Sequence, residues 1–192
     1  MAIEYELKFR ATRQIQEAIL AAVAGEDQHF SMQTTYYDTP SGQLSRRHYT
    51  LRRRMENDIS VCTLKVPAAS GRGEWETECD RIEAAIPMLC KLGGPEDLPL
   101  LVQEGLMEVC GARFQRIART VRLEDCTLEL AIDEGILTGG GREIPLCEVE
   151  IELKDGSIDR CNQFAQILAK QFGLEPEPRS KFRRALDLYK GE

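Results

Sequence analysis

Ile3-Glu4-Tyr5-Glu6-Leu7-Lys8-Phe9 alternates between apolar and charged residues without a break. Successive side chains of a strand point to opposite faces, so Glu4, Glu6 and Lys8 share one face and Ile3, Tyr5, Leu7 and Phe9 the other. Two carboxylates at this spacing suit a hard divalent cation, and the ammonium one step further suits an anion bridged to that cation. Taken alone, the heptapeptide reads rather as an edge strand with a wet polar face. The pattern recurs, however, in Arg52 and Arg54, in Glu74, Glu76 and Glu78, and in Glu148-Val149-Glu150-Ile151-Glu152-Leu153. Almost every predicted strand has one charged face and one apolar face.

Between these strands the sequence predicts a helix over 12–24, with Thr12 as N-cap and Gly25 beyond its end. A β-favouring stretch at 33–37 precedes turn residues at 38–42, and 48–55 and 59–66 form a hairpin about Glu56-Asn57-Asp58. A loop at 68–73 leads to a strand at 74–80. Two short helices at 81–92 and 98–109 follow, then strands at 114–123, 127–133 and 145–154. Ser157 opens a helix that ends at Gly173, and the tail at 178–188 reads equally as helix or strand. About eight strands joined mostly by turns define an α+β protein on an antiparallel sheet. A closed barrel with charged faces inward and apolar faces outward under helices satisfies the pattern. A sandwich or half-open sheet with solvated charges satisfies it as well.

The 192 residues read as one domain, 1–192. A hydrophobic fraction of 42% and a charged fraction of 30% are those of a soluble globular chain. No run approaches the roughly 18 apolar residues of a membrane span, and the N-terminus has no secretory pattern, so a cytoplasmic location is expected. The net charge of −7 argues against nucleic acid as a partner. Seven cysteines without a CxxC pair read as reduced core residues, and His29 and His48 lack convergent partners for a metal.

Sorted by sign, the candidate lumen holds Lys8, Arg52, Arg54, Lys65, Arg72 and Arg116, with Lys181 and Arg183 from the tail, against Glu4, Glu6, Glu148, Glu150 and Glu152. Guanidinium groups bind phosphate oxygens bidentately, and the acids would repel the same polyphosphate unless a divalent metal stood between them. Oxygen-only ligands suit Mg²⁺ or Mn²⁺. Arg53 and Arg113 have the opposite parity and are expected outside the lumen; Arg119 would need a bulge to enter it. Arg10 sits at a strand end, and Asp133 reads equally as a ligand or as the start of a turn. No aromatic platform is expected among the lumen-facing positions.

Glu4-Tyr5-Glu6-Leu7-Lys8 resembles the ExExK hallmark of the CYTH family, the triphosphate tunnel metalloenzymes. Tyr36-Tyr37-Asp38-Thr39, Leu51-Arg52-Arg53-Arg54, Thr63-Leu64-Lys65, Arg72-Gly73-Glu74-Trp75-Glu76, Glu148-Val149-Glu150-Ile151-Glu152 and Ser180-Lys181 extend the resemblance in order along the chain. It implies an eight-stranded closed antiparallel barrel, helices packed outside, and a tunnel that binds a triphosphate with divalent metal. It also implies catalytic roles for Glu4, Glu6, Lys8 and Glu148, phosphate binding by the basic set, and metal binding by the acidic set. Family members hydrolyse inorganic triphosphate or thiamine triphosphate, trim RNA ends, or cyclise ATP. The layout is most similar to the N-terminal domains of bacterial inorganic triphosphatases, whereas Glu177-Pro178-Arg179-Ser180 resembles the tails of class IV adenylyl cyclases. The expected partner is therefore a small triphosphate, not nucleic acid or membrane. A non-catalytic polyphosphate sensor is the alternative of another kind, and a homodimer is an open assembly state.

Overall fold

Tyr5 divides the opening strand in two. In the computed structural model, which describes residues 2–68 and 71–191 and the side chains of all these except 2–4 and 71, β1 is Ala2–Glu4 and β2 is Glu6–Arg10. The other strands are β3 Gln28–Asp38, β4 Thr50–Glu56, β5 Ile59–Ala68, β6 Gly71–Glu78, β7 Met107–Arg122, β8 Cys126–Gly139, β9 Arg142–Gly156 and β10 Glu175–Pro176. They form one ten-stranded sheet in the order β1-β6-β5-β4-β3-β7-β8-β9-β2-β10, and every neighbouring pair is antiparallel.

The α+β class with an antiparallel sheet stands; the closed eight-stranded barrel does not. The ladder is open, because β1 pairs with β6 while β2 pairs with β9, and these two parts of the sheet are linked through the Tyr5 backbone and not by strand pairing. The sheet is also longer in its strands than periodicity suggests. β3, β7 and β8 each extend well beyond their apolar runs, since pairing continues from Gln28↔Ala118 to Asp38↔Met107 and from Cys110↔Gly139 to Arg122↔Thr127.

Helices α1 (Arg13–Ala22) and α5 (Ile158–Phe172) cover the apolar faces of β2, β8 and β9 through Ile19, Cys161, Ala165 and Leu168 on Leu128, Leu130, Val149 and Ile151. Full burial of one such aliphatic side chain contributes about 1.5–3 kcal/mol. Helices α2 (Gln43–Arg46), α3 (Ile82–Lys91) and α4 (Leu98–Leu101) cover Leu51, Cys62, Leu64 and Trp75 of the other wing. The predicted helix at 98–109 stops after one turn. Gly105 takes a φ of +94°, outside the helical region, and the chain turns there into β7.

Helix α6 (Lys181–Lys190) settles the undecided tail and corrects the expectation that all helices lie outside. Phe182, Ala185 and Leu186 pack against Met32, Tyr36, Ala112 and Phe114, which lie on the same sheet face as Arg116. The helix thus sits on the charged face. Gly139 permits this approach, because a Cβ there would collide with the Ala185 carbonyl and the Tyr189 nitrogen.

Candidate functional site

The charged faces of β2 to β9, with the first turn of α6, enclose a cavity of about 450 Å³. Strand parity brings Glu6, Lys8, Arg52, Arg54, Lys65, Arg72, Arg116, Glu150 and Glu152 to its wall, and the start of α6 adds Lys181. Glu148 is fully buried behind Glu150 and does not line the cavity. Arg183 is exposed and its Nε donates across 2.8 Å to Asp187, so its assignment to the lumen is corrected. In a helix, residues three apart share a face and residues two apart do not. Arg184 therefore joins Lys181 at the acids, a distinction that an undecided tail conceals. The Glu4 side chain lies outside the described residues.

The acidic wall is built by β8 and β9. Asp133 stands in the middle of β8, opposite Arg116 on one side and Glu148 on the other, which removes its reading as the start of a turn. Oxygens of Asp133, Glu148 and Glu150 lie within 4.8 Å of one another. Three cations already face these three carboxylates. The Lys181 ammonium is 2.8 Å from Asp133 and 2.6 Å from both Glu148 and Glu150. Arg116 donates to both oxygens of Asp133, at 2.7 and 2.8 Å, and to Glu150, while Arg184 pairs with Glu148. Burial pushes the Glu148 carboxyl up despite Lys181. Burial also opposes charge on Glu150, but Lys181 and Arg116 outweigh it and hold that carboxyl well below the usual range.

The basic wall is built by β4, β5 and β6. Arg52, Arg54, Lys65 and Arg72 line it; Glu74 lies 3.8 Å from Arg52 and 3.3 Å from Lys65, and Glu56 3.2 Å from Arg54. Nε of Arg52 and Nε of Arg54 are buried without a hydrogen-bond partner among the described residues. Burial first, then the neighbouring Arg52 and Arg116, lower the Arg54 pKa to about 10. Unpaired buried donors on crowded guanidinium groups are unfavourable unless an anion satisfies them.

A third group lies across the strands where Glu6 pairs with Glu152 and Glu152 with Glu129. Lys8 is 2.9 Å from Glu6, and Lys154 is 2.8 Å from Glu152 and 3.6 Å from Glu129. The sequence reading missed Glu129 and Lys154, although strand parity places both. It also missed the apolar part of the lining, formed by Phe30, Met32, Tyr36, Phe114 and Phe182. Tyr36 and Phe182 have ring centroids 5.0 Å apart, and Lys181 lies 5.4 Å from the Phe114 centroid. The expectation of no aromatic lining is thereby corrected.

Several remaining side chains support the site from outside it. Arg53 donates to the Asp80 carbonyl, Arg113 to Glu143, and Arg119 to Asp27 and the last carbonyls of α1. Arg10 pairs at 2.8 Å with Glu177, whose backbone N–H donates to the Lys8 carbonyl, so Glu177 ties the start of α6 to β2. Three backbone amides, those of Thr39, Leu44 and Ser45, donate to Asp38. That residue of the Tyr-Tyr-Asp-Thr segment shapes the turn between β3 and β4. His29 and His48 are exposed, and the cysteines are unpaired thiols.

An antiparallel sheet thus folds its charged face around a cavity, with guanidinium groups on one wall and clustered carboxylates on another. The chain belongs to the CYTH family: the CYTH domain model matches residues 2–186. An inorganic triphosphatase of Haemophilus influenzae is 28% identical over 193 residues, covering 96% of this chain. The chain spans about half, 54%, of that relative's length. Two solved structures share the fold. One is an adenylate cyclase candidate from Bacillus halodurans, with TM-score 0.65, 21% identity, and coverage of 95% of this chain and 96% of that one. The other is an adenylyl cyclase candidate from Hippeastrum described as having a dominant triphosphatase activity, with TM-score 0.68, 20% identity, and coverage of 98% and 96%. Among the described residues no helix is long and apolar enough to cross a membrane.

Proposed function

We propose that residues 1–192 act as one domain that hydrolyses the terminal phosphoanhydride of a short triphosphate, inorganic triphosphate first, with Mg²⁺ or Mn²⁺. The observation that carries this reading is the pair of buried, partnerless guanidinium nitrogens on Arg52 and Arg54 across the cavity from the Asp133, Glu148 and Glu150 cluster. On the first wall Glu74 and Glu56 leave these two nitrogens without an acceptor among the described residues; the second has carboxylates enough for a cation. The inorganic triphosphatase relative supports the choice of substrate.

The donor set fits a hard divalent ion, since all three groups are carboxylates and their oxygens converge. Three carboxylates are neutralised by Lys181, Arg116 and Arg184, so accommodating a further +2 requires Lys181, the cation at the end of a helix, to yield its place. Asp133, Glu150 and Glu148 would hold the ion, with Glu6 and Glu152 as the second group. When bound, the ion supplies charge neutralisation at the phosphate oxygens. Arg52, Arg54, Lys65 and Arg72 grip the phosphate chain, with Lys8 and Arg116 joining from the other strands. With the ion held at the carboxylates, Lys181 would be free to offer its charge to the same anion. Glu6 faces the cavity and orients the attacking water, whereas Glu148 supports from behind. Phosphoryl transfer needs such positioning and charge stabilisation more than covalent chemistry.

A second reading is favoured by Phe30 and Phe182, the half-buried members of the aromatic lining. They give an organic triphosphate, ATP or thiamine triphosphate, a surface for its non-phosphate part. A panel of inorganic triphosphate, ATP, thiamine triphosphate and pyrophosphate with Mg²⁺ or Mn²⁺ tests both readings. Phosphate release fastest from inorganic triphosphate is expected. Cyclic AMP from ATP would establish a cyclase instead, and tight binding without turnover a sensor.

A further inference from the structure

Gln16 is a polar side chain in the middle of α1, only 3% exposed, on a helix otherwise buried through Ile15, Ile19, Leu20 and Val23. Its carboxamide nitrogen donates twice, to the Asp133 carbonyl at 3.0 Å and to the Glu148 carbonyl at 2.9 Å. Those residues are direct partners across β8 and β9. One NH₂ group has two hydrogens, and two main-chain acceptors use both. Because both acceptors are carbonyl oxygens, only the amide nitrogen fits this position. The side chains of the same two residues lie on the opposite, charged face, where their oxygens converge with Glu150.

We infer that Gln16 is a positioning residue: from the back of the sheet it sets the spacing of Asp133 and Glu148, and so the geometry of the carboxylate cluster on the front. The inference rests on the metal reading proposed above. An apolar residue of similar length would fill the same space on α1 but leave two buried carbonyls without this donor, and the strand pair would be free to relax at the one register position that carries two of the three carboxylates. Groups that orient metal ligands from outside the coordination sphere typically change metal affinity by about 10–100-fold when lost.

The test is Mn²⁺ affinity of the full chain in the absence of any phosphate ligand, measured by electron paramagnetic resonance for the wild type, Gln16→Met and Ile19→Val. Ile19 is fully buried on the same helix and its side chain has no hydrogen-bond donor, so its variant reports loss of α1 packing alone. Gln16→Met is expected to weaken Mn²⁺ binding about tenfold or more, with Ile19→Val within about twofold of the wild type and near-ultraviolet circular dichroism of both variants unchanged. Equal Mn²⁺ affinity of Gln16→Met and wild type overturns the inference, as does an equal loss in both variants. A measurement on the wild type covers the case in which Gln16→Met does not fold. The side-chain amide resonances of Gln16 should shift during a Mg²⁺ titration with the same midpoint as binding, and resonances that stay fixed while the ion binds overturn the inference. No Mn²⁺ binding by the wild type defeats the metal reading itself, and the positioning role with it.

Discussion

The two walls of the cavity pair their charges differently, although each keeps a buried guanidinium nitrogen without a hydrogen-bond partner among the described residues: Nε of Arg52 and of Arg54 on one, Nε of Arg184 on the other. On the β8–β9 wall three carboxylates meet Lys181, Arg116 and Arg184 at hydrogen-bonding distance, and the charges balance. On the β4–β6 wall the cations are crowded around Glu74 and Glu56, burial and the neighbouring Arg52 lower the Arg54 pKa, and Nε of Arg52 and of Arg54 have no hydrogen-bond partner among the described residues. A closed wall and an open wall in one cavity indicate a division of work. Under the proposed function the open wall would take an anion directly, and the closed wall would exchange an internal cation for an external one.

The largest effect that can break this comparison is at Glu150, which faces both Lys181 and Arg116. Glu150→Gln keeps the volume and removes a ligand charge; metal-dependent turnover should fall on the order of 100-fold with the circular dichroism of the fold retained. Activity and metal dependence at wild-type levels would show that this wall only balances charge.

Next come the arginines of the open wall. Arg52→Ala and Arg54→Ala should each weaken triphosphate binding by about 1.5–3 kcal/mol, one to two decades in Kd. Arg53→Ala, which loses only a bond to the Asp80 carbonyl outside the cavity, should leave Kd within about twofold. Isothermal titration of the three variants checks the ranking, and a dominant loss at Arg53 would reverse the register of β4.

Lys181 sharpens the comparison because the two walls should respond with opposite signs. Lys181→Gln should tighten Mn²⁺ binding without triphosphate by about one decade, since a competing ammonium is gone, and weaken triphosphate binding once metal is present. Losses in both titrations would mean that Lys181 does not compete with the ion.

The smallest effect concerns the anchor of α6. Burial works against charge on Glu177, but Arg10, Arg179 and Arg184 hold its carboxyl down to about 2. A folded pKa below the unfolded value means that this contribution is present above about 4.5 and is lost as pH falls toward about 2. Urea titrations across that window should show this acid limb in the wild type and a shallower one in Glu177→Gln.

Period-two alternation was enough to place Glu6, Lys8, Arg52, Arg54, Lys65, Arg72, Arg116, Glu150 and Glu152 on one face and to set Arg53 and Arg113 apart, because strand geometry has no other solution. Closure was not legible, since alternation is identical in a barrel and in an open sheet whose first strand is divided at Tyr5. Nor was the position of α6: an amphipathic tail does not reveal whether it packs outside the sheet or on its charged face, and so Arg183 was chosen over Arg184. The short α4 hid in an apolar run that lengthens β7, where pairing with β3 overrides local periodicity. Gln16 was invisible for a different reason, as a lone glutamine within a helix gives no sign that its amide ends on two carbonyls 117 and 132 residues away.

The account turns on a triphosphate bridging the two walls through a metal. Calorimetric titration with inorganic triphosphate, performed with and without Mn²⁺, tests this most directly. Without the ion, Lys181 stays engaged with the carboxylates of the closed wall; with it, Lys181 would be free to meet the anion. Triphosphate is predicted to bind at least about tenfold more tightly in Mn²⁺, whereas an affinity indifferent to the ion would contradict the account.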